Sequence, residues 1–370
     1  MSTLGRASTI IVGSGLAGAA VAHALVLRGH REVLVLEREK AAGLGSSGKS
    51  AGMIRQVVES AAIARLATES ARACAVLAEQ GAIAFEVRGS FLMGPIESLE
   101  RLLKAAPVGS PANLVSRSFI KERMNGQFPP GVSQGIFSPG DGVVDVDSVL
   151  AHFRTVAQRG GAQFLDHTEV TGLVVKDGRA AGVETKDGSY RASTVVDAAG
   201  AWAAEWLPLA SRPQLKHFRR HIFVSDQLGQ IPADAPYLWD IDHGFYYRPE
   251  GSGLLLCICD GDEQAPGHAA VDGKMAGRLR SRCREWLPDL PEFELLDSWA
   301  GLRSFSPDGH FLLGPVAELP GLQLACGLGG HGVSCAYEVG RLVAAAIDGE
   351  TLPEIRPFLP DRFREIGIES

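Results

Sequence analysis

The chain has 370 residues, of which 45% are hydrophobic and 21% charged, with a formal net charge of −7. Length and apolar content suit two interleaved globular domains around a large core. The negative balance argues against a nucleic-acid surface, and six cysteines without a CxxC pair are too sparse for a disulfide scaffold, so reduced thiols and a cytoplasmic location are expected.

The run from Thr9 to Leu27 is apolar but lacks the basic leader and cleavage site of a signal sequence. No stretch of roughly 18 apolar residues is free of charge or Gly/Pro breaks, so no membrane span is expected. Thr9-Ile10-Ile11-Val12 reads as a buried strand. The turn Gly13-Ser14-Gly15-Leu16-Ala17-Gly18 follows, then helix formers from Ala19 to Leu27 and a stop at Arg28-Gly29-His30. Val33 to Leu36 is a second strand, ending at Glu37. The order strand, GxGxxG, helix, strand, acid is a dinucleotide fingerprint. Gly13 permits the tight turn, Gly15 lets a pyrophosphate approach the backbone, and Gly18 lets helix and strand pack closely. The helix N-terminus offers free N–H groups to phosphates, and Glu37 accepts from ribose hydroxyls, which disfavours a 2′-phosphate.

Three later segments, 43–52, 194–202 and 327–333, bear on which dinucleotide binds. Gly43 to Gly52 is rich in glycine and serine, and Ser46, Ser47, Gly48, Lys49, Ser50, Ala51 and Gly52 let the chain run close past a second phosphate and a flat ring. Gly140 to Leu150 turns into a helix that Asp147 is placed to cap, running to about Arg159. Val170–Val175 and Ala181–Thr185 form a hairpin around an Asp177-Gly178 turn. Thr194 to Trp202 is a strand entering a small-residue turn through Ala199 and Gly200. Strands are expected at 222–224, 244–249 and 254–259, with Cys257 and Cys259 on one face for core packing. Gly327-Leu328-Gly329-Gly330-His331-Gly332-Val333 opens a helix running to about Ile347, again an anion-binding arrangement. His217 and His221 are spaced for a metal but have no third ligand nearby, so none is expected.

Taken together, these segments resemble the D-amino-acid oxidase superfamily of FAD enzymes, which includes glycine and sarcosine oxidases and D-amino-acid dehydrogenases. The motifs that carry the likeness are GSGLAG, VLVLERE, GSSGKSAG, VVDAAGAWA, WAGLRS, SPDG and GLGGHGV, stretching from residue 9 to 347. Within the superfamily the chain is most similar to D-arginine dehydrogenases, through VLERE, GSYRA, DAAGAW, FYYRP and WAGLRSF. The resemblance implies an α/β fold with two parts. One is a discontinuous Rossmann-like FAD-binding domain at about 1–85, 140–210 and 298–370. The other is a substrate domain at about 86–139 and 211–297, built on a mixed or antiparallel sheet. It further implies that FAD lies against Gly13, Ser14, Gly15, Ala17, Gly18, Glu37, Arg38, the loop Ser46–Gly52, Val170, Ala199, Gly200, Trp202, Gly301, Arg303, Gly329, Gly330, His331, Gly332 and Val333. In the family the last turn aims its helix N-terminus at the flavin, where a positive dipole end stabilises the anionic reduced ring. His331 either adds a hydrogen bond there or only packs. Sarcosine oxidases attach FAD to a cysteine before the serine/threonine-Pro-Asp motif. Here Leu302-Arg303-Ser304-Phe305 has none, so FAD is expected to be non-covalent.

The implied chemistry is hydride removal from the carbon bearing a neutral amine, giving an imine that hydrolyses to an oxo acid and an amine. Arg303 is the candidate anchor for a substrate carboxylate, since its planar fork binds one bidentately. Arg220 is a second candidate, and Tyr246 fits a phenol hydrogen-bonded to the same group, with Tyr247 on the other side of the strand. Two departures weigh against a cationic substrate side chain. Ser90 stands where D-arginine dehydrogenases carry an acid, and Met53-Ile54-Arg55 where they have a tyrosine. If Arg55 points inward, it predicts an acidic or second carboxylate group; if outward, it is a surface charge. The electron acceptor is oxygen or a quinone-like molecule. Two other readings compete: a tRNA-modification oxidoreductase module, against which the −7 charge argues, and a catalytically silent FAD-binding subunit of a partner complex.

Overall fold

The strand Thr9–Val12 is fully buried and sits inside a six-stranded sheet. In this computed structural model, which describes residues 2–208 and 212–365, the strand order is Gln163–Leu165, Val33–Leu36, Thr9–Val12, Thr194–Asp197, Leu322–Cys326, Leu312–Pro315. All neighbours run parallel except the last pair. Parallel strands covered on both faces read as unbroken apolar runs, as TIIV and VLVL do.

The fingerprint helix spans Leu16–Leu27, and only Leu27 escapes burial. It packs between the helices Val146–Arg159 and Gly332–Ile347, which explains its apolar character on every face. The last contact is close: a Cβ on Gly340 would stand 2.3 Å from the Ala20 carbonyl oxygen. Asp145, not Asp147, caps the helix Val146–Arg159. Its extended backbone lets the carboxylate accept from the Asp147 N–H at 3.0 Å, and Asp147 sits in the first turn, where its charge suits the dipole.

His23 is buried on the fingerprint helix, with its ring centroid 4.9 Å from Phe153 and 5.5 Å from His152. Burial, then the neighbouring His152, lowers its pKa to about 4. An unfolded histidine takes up its proton near 6.5, so the unfolded chain binds more protons between that value and 4, and stability drops as the pH is lowered through that window. His23 should account for about 2 kcal/mol of the stability lost between pH 7.5 and pH 5. Urea unfolding of wild type and His23→Asn at the two pH values checks this; an equal loss in both proteins would refute it.

The hairpin Val170–Lys176 and Arg179–Thr185 turns on Asp177 and Gly178, both with positive φ (51° and 73°), as a two-residue primed turn requires. With Thr3–Arg6 and Gly188–Arg191 it forms a four-stranded sheet. A three-stranded sheet joins Met53–Ile54, Gly142–Val144 and Phe85–Val87.

The other large layer is an eight-stranded sheet. Its order is Leu295–Phe305, Lys216–Ser225, Gly253–Cys257, Phe245–Glu250, Tyr237–Asp240, Ser90–Met93, Gln134–Ser138, Asn113–Ser116. All pairs are antiparallel except Tyr237–Asp240 with Ser90–Met93. The expected domain break at 298 falls inside the strand Leu295–Phe305, whose ladder with Lys216–Ser225 runs on from Asp297 to Phe305. The break expected at 210/211 lies outside the described residues. One face of the sheet packs Phe223, Phe245, Tyr247 and Leu256 into a core closed by the helix Lys274–Trp286. The opposite face carries Ile222, Tyr246, Leu255 and Cys257. The third expected strand ends at Cys257: Cys259 has φ 48° and lies beyond it, although the two cysteines still pack together. Among the described residues no helix is long and apolar enough to cross a membrane, and no group of His, Cys, Asp and Glu could hold a metal.

Candidate active site

A cavity of about 470 Å³ runs along the C-terminal edge of the six-stranded sheet. One wall is the fingerprint turn. Gly13 has φ +99°, and a Cβ on it would lie 2.6 Å from the Ala198 carbonyl oxygen. A Cβ on Gly18 would lie 2.0 Å from the Gly13 carbonyl oxygen, so this turn and helix admit no side chain at either position. Glu37 closes the same end, accepting the Ser14 N–H at 2.8 Å and the Glu39 N–H at 3.0 Å. The Arg38 guanidinium stacks 3.6 Å over the Trp202 ring, covering the cavity rim. The Ser47 hydroxyl accepts the Leu16 N–H at 3.0 Å and ties the glycine/serine loop to the fingerprint helix.

Of the residues expected to touch the cofactor, Gly13, Gly15, Ala17, Glu37, Arg38, Ser46, Ser47, Lys49, Ser50, Val170, Ala199, Gly200, Trp202, Gly301, Arg303, Gly329, Gly330, Gly332 and Val333 line this cavity. Ser14, Gly18, Gly48, Ala51, Gly52 and His331 do not line it. Ser14 is fully buried and Gly18 packs on the Gly13 backbone. The sequence reading missed Gly43, Gly45, Thr168, Glu169, Trp206, His268 and Ser304, which also line it. Only Gly43 and Gly45 carried a signal, as small residues of the same loop.

At the far end the cavity meets the helix Gly332–Ile347. It begins at His331 with no side-chain cap and no acid in its first turn, leaving N–H donors and the positive dipole end open. Gly330, with φ +88°, lets the Arg303 side chain pass: a Cβ there would meet the Arg303 Nε at 2.9 Å.

Arg303 joins the cavity to the inner face of the eight-stranded sheet. Cross-strand partners share a face, so Arg303 lies with Phe218, Gly301 with Arg220, and Trp299 with Ile222. The ladder continues on this face from Cys257 to Tyr246 to Trp239. Among the described residues Arg303 makes no ion pair. The Arg220 Nε donates to the Asp260 carbonyl at 2.7 Å, while the Asp260 carboxylate is taken by the His221 N–H at 2.8 Å and Nδ1 at 2.7 Å. Among the described residues the buried Tyr246 hydroxyl has no hydrogen-bond partner of good geometry, although it lies beside the Cys257 thiol, and the Tyr247 hydroxyl on the other face donates to the Gln127 carbonyl.

The field here is positive. Burial opposes the Cys257 thiolate, yet Cys259 and the charges of Arg220 and Arg303 outweigh it and hold that thiol below its ordinary value. Burial, then Arg55 and Arg303, lowers the His331 pKa to about 3, so its imidazole is neutral at physiological pH. Arg55 points inward: it is buried, with its guanidinium 4.4 Å over the Trp239 ring. Ser90 is also buried and donates to Asp141 at 2.6 Å. His217 bonds the Ser304 hydroxyl at 2.8 Å and His221 bonds Asp260, so neither histidine is a vacant ligand.

Residues 8–346 match the family described as FAD dependent oxidoreductase, DAO. The chain belongs to this family. FAD is the family's cofactor, and the glycine turn, the acid at Glu37 and the uncapped helix suit a dinucleotide with a flavin at the far end. The glycine oxidase of Geobacillus kaustophilus (strain HTA426) is 28% identical across 98% of this chain and 99% of its own. Hydrogen cyanide synthase subunit HcnC of Pseudomonas aeruginosa is 31% identical over 56% of this chain and 50% of its own length. The chain spans about half the length, or less, of several curated relatives it matches. Among solved structures of the fold, L-proline dehydrogenase from P. horikoshii superposes with a TM-score of 0.87 at 24% identity, over 97% of this chain and 98% of the other.

Proposed function

We propose that this DAO-family chain oxidises the carbon–nitrogen bond of a small amino acid, with Arg303 holding the substrate carboxylate. The observation that carries the reading is Arg303 itself. It is a guanidinium with no ion pair among the described residues, placed where the cofactor cavity meets the inner face of the eight-stranded sheet. A half-buried cation without a counter-ion carries a desolvation cost, and a ligand carboxylate on its fork relieves that cost.

The bound FAD supplies a two-electron acceptor for hydride. The residues of the chain do the rest. Arg303 grips the carboxylate and fixes the α-carbon, while the Tyr246 hydroxyl, otherwise unsatisfied, donates to the same carboxylate. The charges of Arg303, Arg220 and Arg55 disfavour an ammonium, so the substrate nitrogen is held in the neutral form that hydride loss requires. The neutral His331 and the N-terminus of Gly332–Ile347 offer dipoles rather than a second charge at the flavin end. Oxygen or a quinone-like molecule then removes the electrons.

Anaerobic addition of amino acids, pooled as D, L and N-methyl sets, should bleach the flavin absorbance bands with one set, and air or a quinone should restore them. Bands that no set bleaches would overturn the reading in favour of an FAD-binding subunit whose activity needs a partner chain.

A further inference from the structure

We infer that the substrate carries a second carboxylate and that Arg55 is the residue that binds it; this rests on the amino-acid reading above. Arg55 follows the strand Met53–Ile54 and is pinned to the helix that ends the cofactor cavity. Its N–H donates to the Ser334 hydroxyl at 3.1 Å, and that hydroxyl donates to the Met53 carbonyl at 3.4 Å. The side chain turns inward, only 8% exposed, onto Trp239. Trp239 in turn lies 4.7 Å, centroid to centroid, from Tyr246, the phenol on the substrate face. Arg55 is therefore part of the same wall as Tyr246, Arg220 and Arg303.

The hydrogen-bonding capacity of its guanidinium is only partly used. The Arg55 Nε is buried with no partner. Its one acidic contact among the described residues is Glu59, through Nη2 at 3.3 Å, and Glu59 is 70% exposed, where water screens it. The other acids close by are committed elsewhere. Asp260 is taken by His221, and Asp141 by the Ser90 hydroxyl, the Tyr237 hydroxyl and the Gln56 N–H. Arg303 and Arg220 thus share the sheet face onto which Arg55 packs through Trp239, and among the described residues the one carboxylate ion-paired to any of the three is the solvated Glu59. One substrate carboxylate on Arg303 leaves Arg55 with an open N–H at depth, and a second anion satisfies it. Both charges reach one point of the site, since both act on His331. The packing of Arg55 on Trp239 fixes its fork in place, so little side-chain freedom is lost on binding.

The class that fits is a dicarboxylic amino acid, such as aspartate or glutamate of either hand. The test uses the FAD-loaded protein and two measurements. In the first, unreactive malonate, succinate and glutarate are titrated against propionate and butyrate, and the shift of the flavin absorbance bands gives each Kd. The best dicarboxylate should bind at least about 30-fold more tightly than either monocarboxylate. Arg55→Met should reduce that ratio to about threefold or less, and Arg55→Lys should keep part of it. Equal affinities for the two classes in the wild-type protein would overturn the inference, whatever the variants do. In the second measurement, aspartate and glutamate are compared with asparagine and glutamine as anaerobic reductants, and the acids should be preferred by a similar factor. Tight dicarboxylate binding with no reduction by any amino acid would leave the second anion site standing and remove the reaction. Rapid reduction by amino acids, with no preference for the acids, would do the opposite.

Discussion

Arg303→Ala should lower kcat/KM for the carboxylated substrate by about 10²- to 10³-fold, mostly through KM. Truncating one partner of a buried charge pair costs about 2–5 kcal/mol, and tenfold is about 1.4 kcal/mol. The middle of that range applies because nothing on the protein side replaces the guanidinium. Arg220 is turned to the Asp260 carbonyl, and Tyr246 supplies one neutral donor. A simple amine without a carboxylate should lose far less, within about tenfold, because it never used the fork. Steady-state kinetics on one amino acid and its decarboxylated amine give the comparison. Equal losses on the two substrates would assign Arg303 to packing against Gly330 and the cofactor wall. Arg303→Lys should recover only part of the effect, since an ammonium cannot copy the planar bidentate contact.

Gly18→Ala should give protein that is either insoluble or purified without bound flavin. The added methyl would stand 2.0 Å from the Gly13 carbonyl oxygen, inside any allowed contact, and the neighbouring Ile11 side chain blocks retreat at 3.2 Å. Relief requires the fingerprint helix to slide off the strand Thr9–Val12. That helix is clamped on its other sides by Val146–Arg159 and Gly332–Ile347, so a shift breaks packing on three fronts. Gly29→Ala is the control. Gly29, unlike Gly18, has positive φ (94°), but its Cβ would meet nothing within 4 Å, so a modest loss of stability with full flavin content is expected. Flavin absorbance per polypeptide and thermal melting separate the two variants. A yellow, wild-type-like Gly18→Ala protein would show that the turn is looser than these contacts require.

The cofactor half of the site was readable because its signal is local. Gly13, Gly15, Gly18 and Glu37 fall within one strand–helix–strand unit, where spacing alone puts them at one end of a sheet. The uncapped start of Gly332–Ile347 was readable for the same reason. The substrate half was not, because it is made by pairing register. Arg303, Arg220, Tyr246 and Trp239 sit on four different strands, and only the ladder from Leu295–Phe305 to Tyr237–Asp240 tells which of their side chains share a face. Sequence left Arg55 open between core and surface, and Trp239, which decides it, lies 184 positions away. The strand through position 298 was hidden because its start is exposed: Leu296 and Asp297 face water, and the apolar pattern begins only at Trp299 and Ala300.

The walls of the cofactor cavity are drawn from Val12 at one end of the sequence to Val333 at the other. During synthesis the fingerprint turn leaves the ribosome before the Gly327–Val333 turn, which follows some 300 residues later. A growing chain therefore presents half a cradle, with the apolar fingerprint helix still lacking its Gly332–Ile347 neighbour. Cofactor capture therefore follows synthesis of the Gly327–Val333 turn, after slow non-local strand pairing has begun. Until then the exposed helix and sheet edge are what chaperones would have to shield, and a shortage of flavin would lengthen that interval.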